Sequence, residues 1–265
     1  GFVIESGRFT IIAPTDEIIA EFGQESVTHD LSNKAIIPGF IDAHTHLLWA
    51  GDRSNEMRMR QQGMSYSEVA EAGGGIRYTV GQTRESESLK EIGQSRLLMA
   101  KNHGTTYIEA KSGYGLDTNS ELKLLKAYGD LQIKNPNIQM SATWMGAHDI
   151  PHGITRGEYV EQLLSEQLPL VIEQGIAQSV DVFCEPGWFT IEDTEEICRE
   201  AKRAGLSIRL HVDEFVDGNG LGSIQGGLVW GLENEENIPE IDIKVDSIAI
   251  TAVTKKLKAK WTPEL

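Results

Sequence analysis

Pro38-Gly-Phe-Ile-Asp-Ala-His-Thr-His-Leu-Leu48 sets two histidines one residue apart at the end of an apolar run. Side chains on a strand alternate with period two, so His44 and His46 would share one face and both imidazoles could reach a single ion. Asp42 would share that face and could orient a ligand. A lone histidine at a strand end usually just satisfies a hydrogen bond, whereas a pair at this spacing points to a metal. A third ligand must then come from another strand end.

Working outward, the chain from residue 36 onward alternates apolar strands with longer helical stretches. Strands are predicted over 35–48, 105–111, 138–146, 180–184 and 207–212, and helices over 65–72, 76–83, 86–102, 118–132, 156–174 and 190–204. This is the pattern of βα units around a parallel sheet. Polar residues follow the apolar runs in five successive units: His44 and His46, Lys111 to Tyr114, His148, Glu185, and His211 to Glu214. In a barrel of parallel strands the carboxyl ends converge on one face, where active sites are built. The expected fold is therefore α/β, a (β/α)8-type barrel with five units visible over 36–221. Residues 1–35 read as short strands and turns around a Ser6-Gly7 hairpin signal. After Leu221 the pattern breaks into a turn and strand-like pieces. Only the first part of a closed barrel fits between residues 36 and 221, since such barrels take roughly 200 to 250 residues. The expectation is that a segment is missing between Leu221 and Gly222. An incomplete barrel would favour association as a homodimer, because open strand edges are a liability.

The bulk properties of the 265 residues narrow the partners. A formal net charge of −16 and a sequence pI near 4.9 disfavour nucleic acid and anionic membranes. No apolar run approaches 18 residues and the amino terminus does not read as a leader, so the cytoplasm is the expected location. Two cysteines, Cys184 and Cys198, read as buried thiols and not as a disulfide framework.

Ser207-Ile-Arg-Leu-His-Val-Asp-Glu-Phe215 offers His211 as the third ligand. Glu214, three residues on, is a candidate general base near a metal's open position. Three imidazoles suit either zinc or iron, so one divalent ion of either kind is expected. Arg53 in Gly51-Asp-Arg53 could clamp a carboxylate through two parallel hydrogen bonds, which would let an acidic protein bind an anionic small molecule. Tyr114 and His148 read as further substrate handles or, taken singly, equally as structural groups. Gly73-Gly-Gly75 could cradle an anion, although a loop hinge is the plainer reading. His103 and His152 read as surface residues.

The first motif resembles the opening metal strand of the amidohydrolase superfamily. Joined by Gly51-Asp-Arg53, Gln62-Gly-Met-Ser-Tyr66, Ala72-Gly-Gly-Gly-Ile76, Glu109-Ala-Lys-Ser-Gly-Tyr-Gly-Leu116, Gly146-Ala-His148 and His211-Val-Asp-Glu-Phe215, it is similar to the imidazolonepropionase family of histidine degradation over about residues 30 to 221. The resemblance implies a distorted barrel with one zinc or iron ion, and a small β domain made from both chain ends, 1–35 and 222–265. It implies His44, His46 and His211 as metal ligands, Glu214 as the acid/base group, and Arg53, Tyr66, Tyr114 and His148 as substrate contacts. The implied reaction is hydrolysis of 4-imidazolone-5-propanoate to N-formimino-L-glutamate. A later histidine and an aspartate that the family carries after the fifth strand are not found. Another cyclic-amide hydrolase or deaminase of the superfamily, or a silent truncated homologue, are the alternative readings.

Overall fold

The computed structural model describes residues 1–24, 27–31, 33–65, 68–69, 72–212, 242–244 and 256–258. The chain divides into two compact units, Gly1–Pro38 and Gly39–Leu265. In the first, β1 (Phe2–Glu5) and β2 (Arg8–Ile12) form an antiparallel hairpin. Ser6 and Gly7 both take left-handed backbone angles, φ 50° and 76°, which match the right-handed twist of a two-residue hairpin. The Phe2 and Phe9 rings meet edge to face with centroids 5.0 Å apart. The expectation of strands and turns alone fails at α1 (Thr15–Phe22). Pro14 precedes that helix, and Asp16 and Glu17 lie in its first turn, where carboxylates complement the helix dipole.

The second unit is α/β. Its sheet runs β3 (Phe40–Thr45), β4 (Thr105–Lys111), β5 (Gln139–Ala147), β6 (Ser179–Phe183), β7 (Ser207–His211), adjacent in that order and all parallel. Between strands lie α2 (Ser54–Gln61), α3 (Gly75–Glu85), α4 (Leu89–Asn102), α5 (Thr118–Lys134), α6 (Arg156–Gln162), α7 (Leu168–Gln174) and α8 (Ile191–Arg203). The five strands expected from sequence are all present, with ends shifted by at most one residue except for β3. The apolar run 35–48 pairs as a strand only over Phe40–Thr45, after which Leu47 and Leu48 turn into the core. α2 was not expected: Ser-Asn-Glu-Met-Arg-Met-Arg-Gln carries no apolar stripe, and only Glu56 of it is buried. Two further strands, β8 (Asp242–Lys244) and β9 (Lys256–Lys258), pair antiparallel with each other. The rest of 222–265, and with it the expected second half of a small β domain, lies outside the described residues.

The core lies between the sheet and its helices, with Leu124, Leu125, Tyr128, Trp144, Tyr159, Val180 and Ile197 buried to 1 % exposure or less. Tyr128 ties it to the site, since its hydroxyl donates to Lys111 O (2.7 Å) and accepts from Leu48 N (3.3 Å). The stretch 156–174, expected as one helix, is interrupted by a wide π turn at Leu163–Gln167. Pro169 supplies the reason: it has no N–H to bond back to Ser165, and its ring crowds that carbonyl. Capping boxes, Thr155 with Glu158 and Thr190 with Asp193, start α6 and α8. Both cysteines are free thiols. Among the described residues no helix is long and apolar enough to cross a membrane.

Gly146 shows how tightly β5 is built. A methyl group there would come within 2.4–2.8 Å of the indole of Trp144, which is rigid and fully buried. Gly146→Ala is expected to cost about 2–3 kcal/mol through overpacking. A urea denaturation midpoint unchanged from the parent would contradict this.

Candidate metal and substrate site

The carboxyl ends of β3, β4, β6 and β7 bring polar side chains together. His44 lies on β3 and His211 ends β7, and their Nε2 atoms stand 3.3 Å apart. Asp181 of β6 lies behind His211, with Oδ1 accepting from Nδ1 at 3.0 Å. Its other oxygen, Oδ2, receives Lys111 Nζ, from the end of β4. Lys111 also lies 3.4 Å from Glu109 Oε1, which takes a hydrogen bond from Thr143 Oγ1 (2.6 Å) and pairs with Arg209 Nε. Glu109, Lys111 and Asp181 are all buried. They come from alternate positions of β4 and β6, which flank β5, so their side chains share one face of the sheet with Arg209 and His211.

His46 departs from the arrangement expected of it. β3 ends at Thr45, so the alternation that would hold His44 and His46 on one face ends before His46. Their ring centroids are 6.1 Å apart, and the His46 ring stacks on that of His148 at 4.8 Å with 12° between planes. Tyr114 meets both rings edge-on, at 5.1 and 5.6 Å. His46 Nδ1 is sealed from solvent and has no hydrogen-bond partner. Asp42 serves the backbone and not a ring: it accepts from His44 N at 3.2 Å and from Thr45 Oγ1.

Electrostatics disfavour the charged forms of His44, His46 and His148. Burial lowers the pKa of His44, with the nearby His211 and Lys111 adding to the effect. Burial holds His46 well below the ordinary histidine value. It also lowers His148 to about 4, against the opposing hydrogen bond between Nδ1 and Gly113 O (2.8 Å). Asp181 is pulled down to about 2, because its hydrogen bond with His211 and the Lys111 ammonium outweigh the penalty of burial.

Whether this donor set suits a divalent cation can be judged from the pair of nitrogens. Two ligands each about 2.05 Å from a tetrahedral ion stand about 3.3 Å apart, the separation between His44 and His211. A carboxylate behind the second ring nitrogen, as Asp181 provides, is the usual support of a metal-binding imidazole. Among the described residues no group of three or more His, Cys, Asp or Glu side chains is arranged to hold a metal ion. The structure thus joins His44 and His211 and leaves His46 beside them on His148.

Arg53 caps the start of α2, and its guanidinium is already engaged: Nε and Nη2 each lie 2.8 Å from a Glu56 carboxylate oxygen. Glu56 Oε1 also accepts from Gly75 N at 2.7 Å, so the anion held by the glycine triplet is the chain's own carboxylate. A carboxylate clamp by Arg53 would have to use the Nη1–Nη2 edge. Tyr66 and Glu214 lie outside the described residues. His103 and His152 are exposed, as expected.

Sequence reading missed Glu56, Glu109, Glu121 and Asp181. The signal for Glu109 and Asp181 was present in the strand alternation, since each lies an even number of residues before a polar strand-end residue that was recognised, Lys111 and Glu185, but their pairing depends on inter-strand register.

No family model matches the chain. It is 39% identical to the imidazolonepropionase of Haloarcula marismortui over 94% of its length and 60% of that protein's. It is 41% identical to that of Shewanella sediminis (90% and 59%) and 40% identical to that of Shewanella putrefaciens (82% and 54%). The chain spans little more than half the length of these curated relatives. A solved structure described as triazine hydrolase from Arthobacter aurescens aligns at 15% identity and a TM-score of 0.43, covering 73% of this chain and 44% of that one; no weight rests on a likeness of that size. Across the stretch it shares with these curated relatives, the chain is similar to imidazolonepropionases.

Proposed function

We propose that this protein hydrolyses the cyclic amide 4-imidazolone-5-propanoate to N-formimino-L-glutamate at the carboxyl ends of β3 to β7. The observation that carries the reading is the convergence of His44 and His211 Nε2 at 3.3 Å. We place the sheet in a (β/α)8-type barrel. His44 and His211 would hold one zinc or iron ion, and the orphaned ring nitrogen of His46 would supply a third donor. Such an ion, when bound, lowers the pKa of a water and polarises a carbonyl.

The chain's own residues do the rest. Asp181 and Lys111 keep His211 oriented. His148, neutral and tethered through Nδ1 to Gly113 O, turns its Nε2 lone pair toward substrate as an acceptor. Tyr114 walls the same pocket. Water adds its oxygen to the ring carbonyl carbon and the ring C–N bond breaks. The proton released by the water passes to the departing nitrogen through Glu214, the acid/base group in this reading. The direct test is turnover of 4-imidazolone-5-propanoate by the 265-residue chain loaded with zinc or iron. Metal-dependent loss of substrate is expected, and a metal-loaded chain that leaves it intact would refute the proposal.

The pairing of Arg53 with Glu56 favours a second reading, in which the substrate is a cyclic amide without a carboxylate. Arg53→Ala separates the two. If the guanidinium grips the propionate, KM should rise by about 10- to 100-fold with a smaller change in kcat, the size of a lost charged hydrogen-bonding pair. An unchanged KM would favour the neutral substrate.

A further inference from the structure

We infer that Asp181, whose other oxygen is held by Lys111, is a positioning residue that fixes the tautomer of His211 so that its Nε2 lone pair faces His44; this rests on the metal site proposed above. The Asp181 side chain is fully buried and each of its oxygens has a different task. Oδ2 receives the Lys111 ammonium and Oδ1 receives His211 Nδ1. An ammonium only donates, and an ionised carboxylate only accepts. His211 therefore carries its proton on Nδ1, and in the neutral ring Nε2 must be the lone pair. That lone pair lies 3.3 Å from His44 Nε2, where a cation would bind. The surroundings hold the pieces still. Lys111 is anchored a second time by Glu109, Glu109 by Arg209 and Thr143, and β6 and β7 pair in register with Asp181 opposite Arg209.

The consequence is specific to chemistry and not to shape. Asparagine fills the same space but has one accepting oxygen and one donating NH2. Lys111 cannot accept, so it claims the oxygen and leaves the NH2 facing His211 Nδ1. Nδ1 must then accept, the proton moves to Nε2, and the position that should bind a cation meets an N–H. Removing the ammonium as well releases the asparagine oxygen to turn back to Nδ1.

The experiment uses the full chain with 15N-labelled histidine, at a pH where imidazoles are neutral. The tautomer is read from the ring 15N shifts of the metal-free protein, and zinc affinity is measured by chelator competition. Asp181→Asn should show His211 protonated on Nε2 and bind zinc about 10- to 100-fold more weakly. Lys111→Met alone should keep the Nδ1–H form. The double variant Asp181→Asn/Lys111→Met, in which the lost charges balance, should regain the Nδ1–H form and most of the affinity. An Asp181→Asn chain that keeps the parent tautomer overturns the inference, and so does a double variant that stays in the Nε2–H form. A parent chain that takes up no zinc refutes the metal reading instead, while the metal-free 15N spectra still decide the part played by Asp181.

Discussion

Glu121→Ala should lower the stability of this chain by about 4 kcal/mol, and the loss should fall on the loop of residues 113–116. Glu121 lies in the first turn of α5 and is completely buried. Its Oε1 accepts from the amides of Gly115 (2.7 Å), Leu116 (3.0 Å) and Gly113 (3.1 Å), and Oε2 shares the last at 3.1 Å. The loop is moulded to reach it. Gly113 has φ +101° and Leu116 φ +52°, and a methyl group on Gly115 would strike the Glu121 amide at 2.7 Å. Burial raises the Glu121 pKa, and only these donors and the Ser112 hydroxyl offset that. A buried amide left without an acceptor costs about 1–3 kcal/mol, and the alanine would orphan three, with some relief from water entering the cavity. The same loop carries Tyr114 and offers the Gly113 carbonyl to His148, so these two proposed substrate contacts should loosen together. Glu121→Gln keeps one acceptor and should cost about half as much. Urea denaturation measures both. An alanine variant within about 1 kcal/mol of the parent would show that the loop is held by something else.

Glu121 also marks the boundary of what the sequence could reveal. The five strands were legible because each is a short apolar run closed by a polar cluster, and parallel strands covered by helices leave that trace. His44, His211, Tyr114 and His148 were legible because they sit at strand ends. α1 was not, since eight residues hold too few turns for a periodic stripe to stand out, although Pro14 with Asp16 and Glu17 forms a start signal. The π turn was written in Pro169. By contrast, the partners of Asp181 and Glu121 are fixed by inter-strand register and by a loop folding back onto a helix, and no linear spacing encodes either. Alternation put His46 beside His44, but the strand stopped one residue short, and a side-chain direction is inherited only while the strand lasts.

Acid should begin to weaken the metal-free chain below about pH 6.5, because His46 and His148 prefer to be neutral. His148 has a pKa of about 4 in the folded state against 6.5 unfolded, and burial is the main cause. A histidine with a depressed folded pKa contributes stability that is complete above its unfolded pKa and lost as pH falls toward the folded one, because the unfolded chain binds more protons over that window. The window is therefore about pH 6.5 to 4, and across it the preference of His148 for the neutral form is worth about 3 kcal/mol of folding stability. His46, whose pKa burial also holds well down, should deepen the loss. Asp181 behaves in the other sense. Held at about 2, it stays charged throughout this window and gives up its contribution only between about pH 4 and 2. Urea midpoints at about pH 7, 5.5 and 4.5 should thus fall steadily. His148→Gln, which can still donate to Gly113 O, should flatten the fall by close to one proton per molecule. Parent and variant curves that run parallel across the window would mean that His148 titrates like an exposed histidine and is not held neutral.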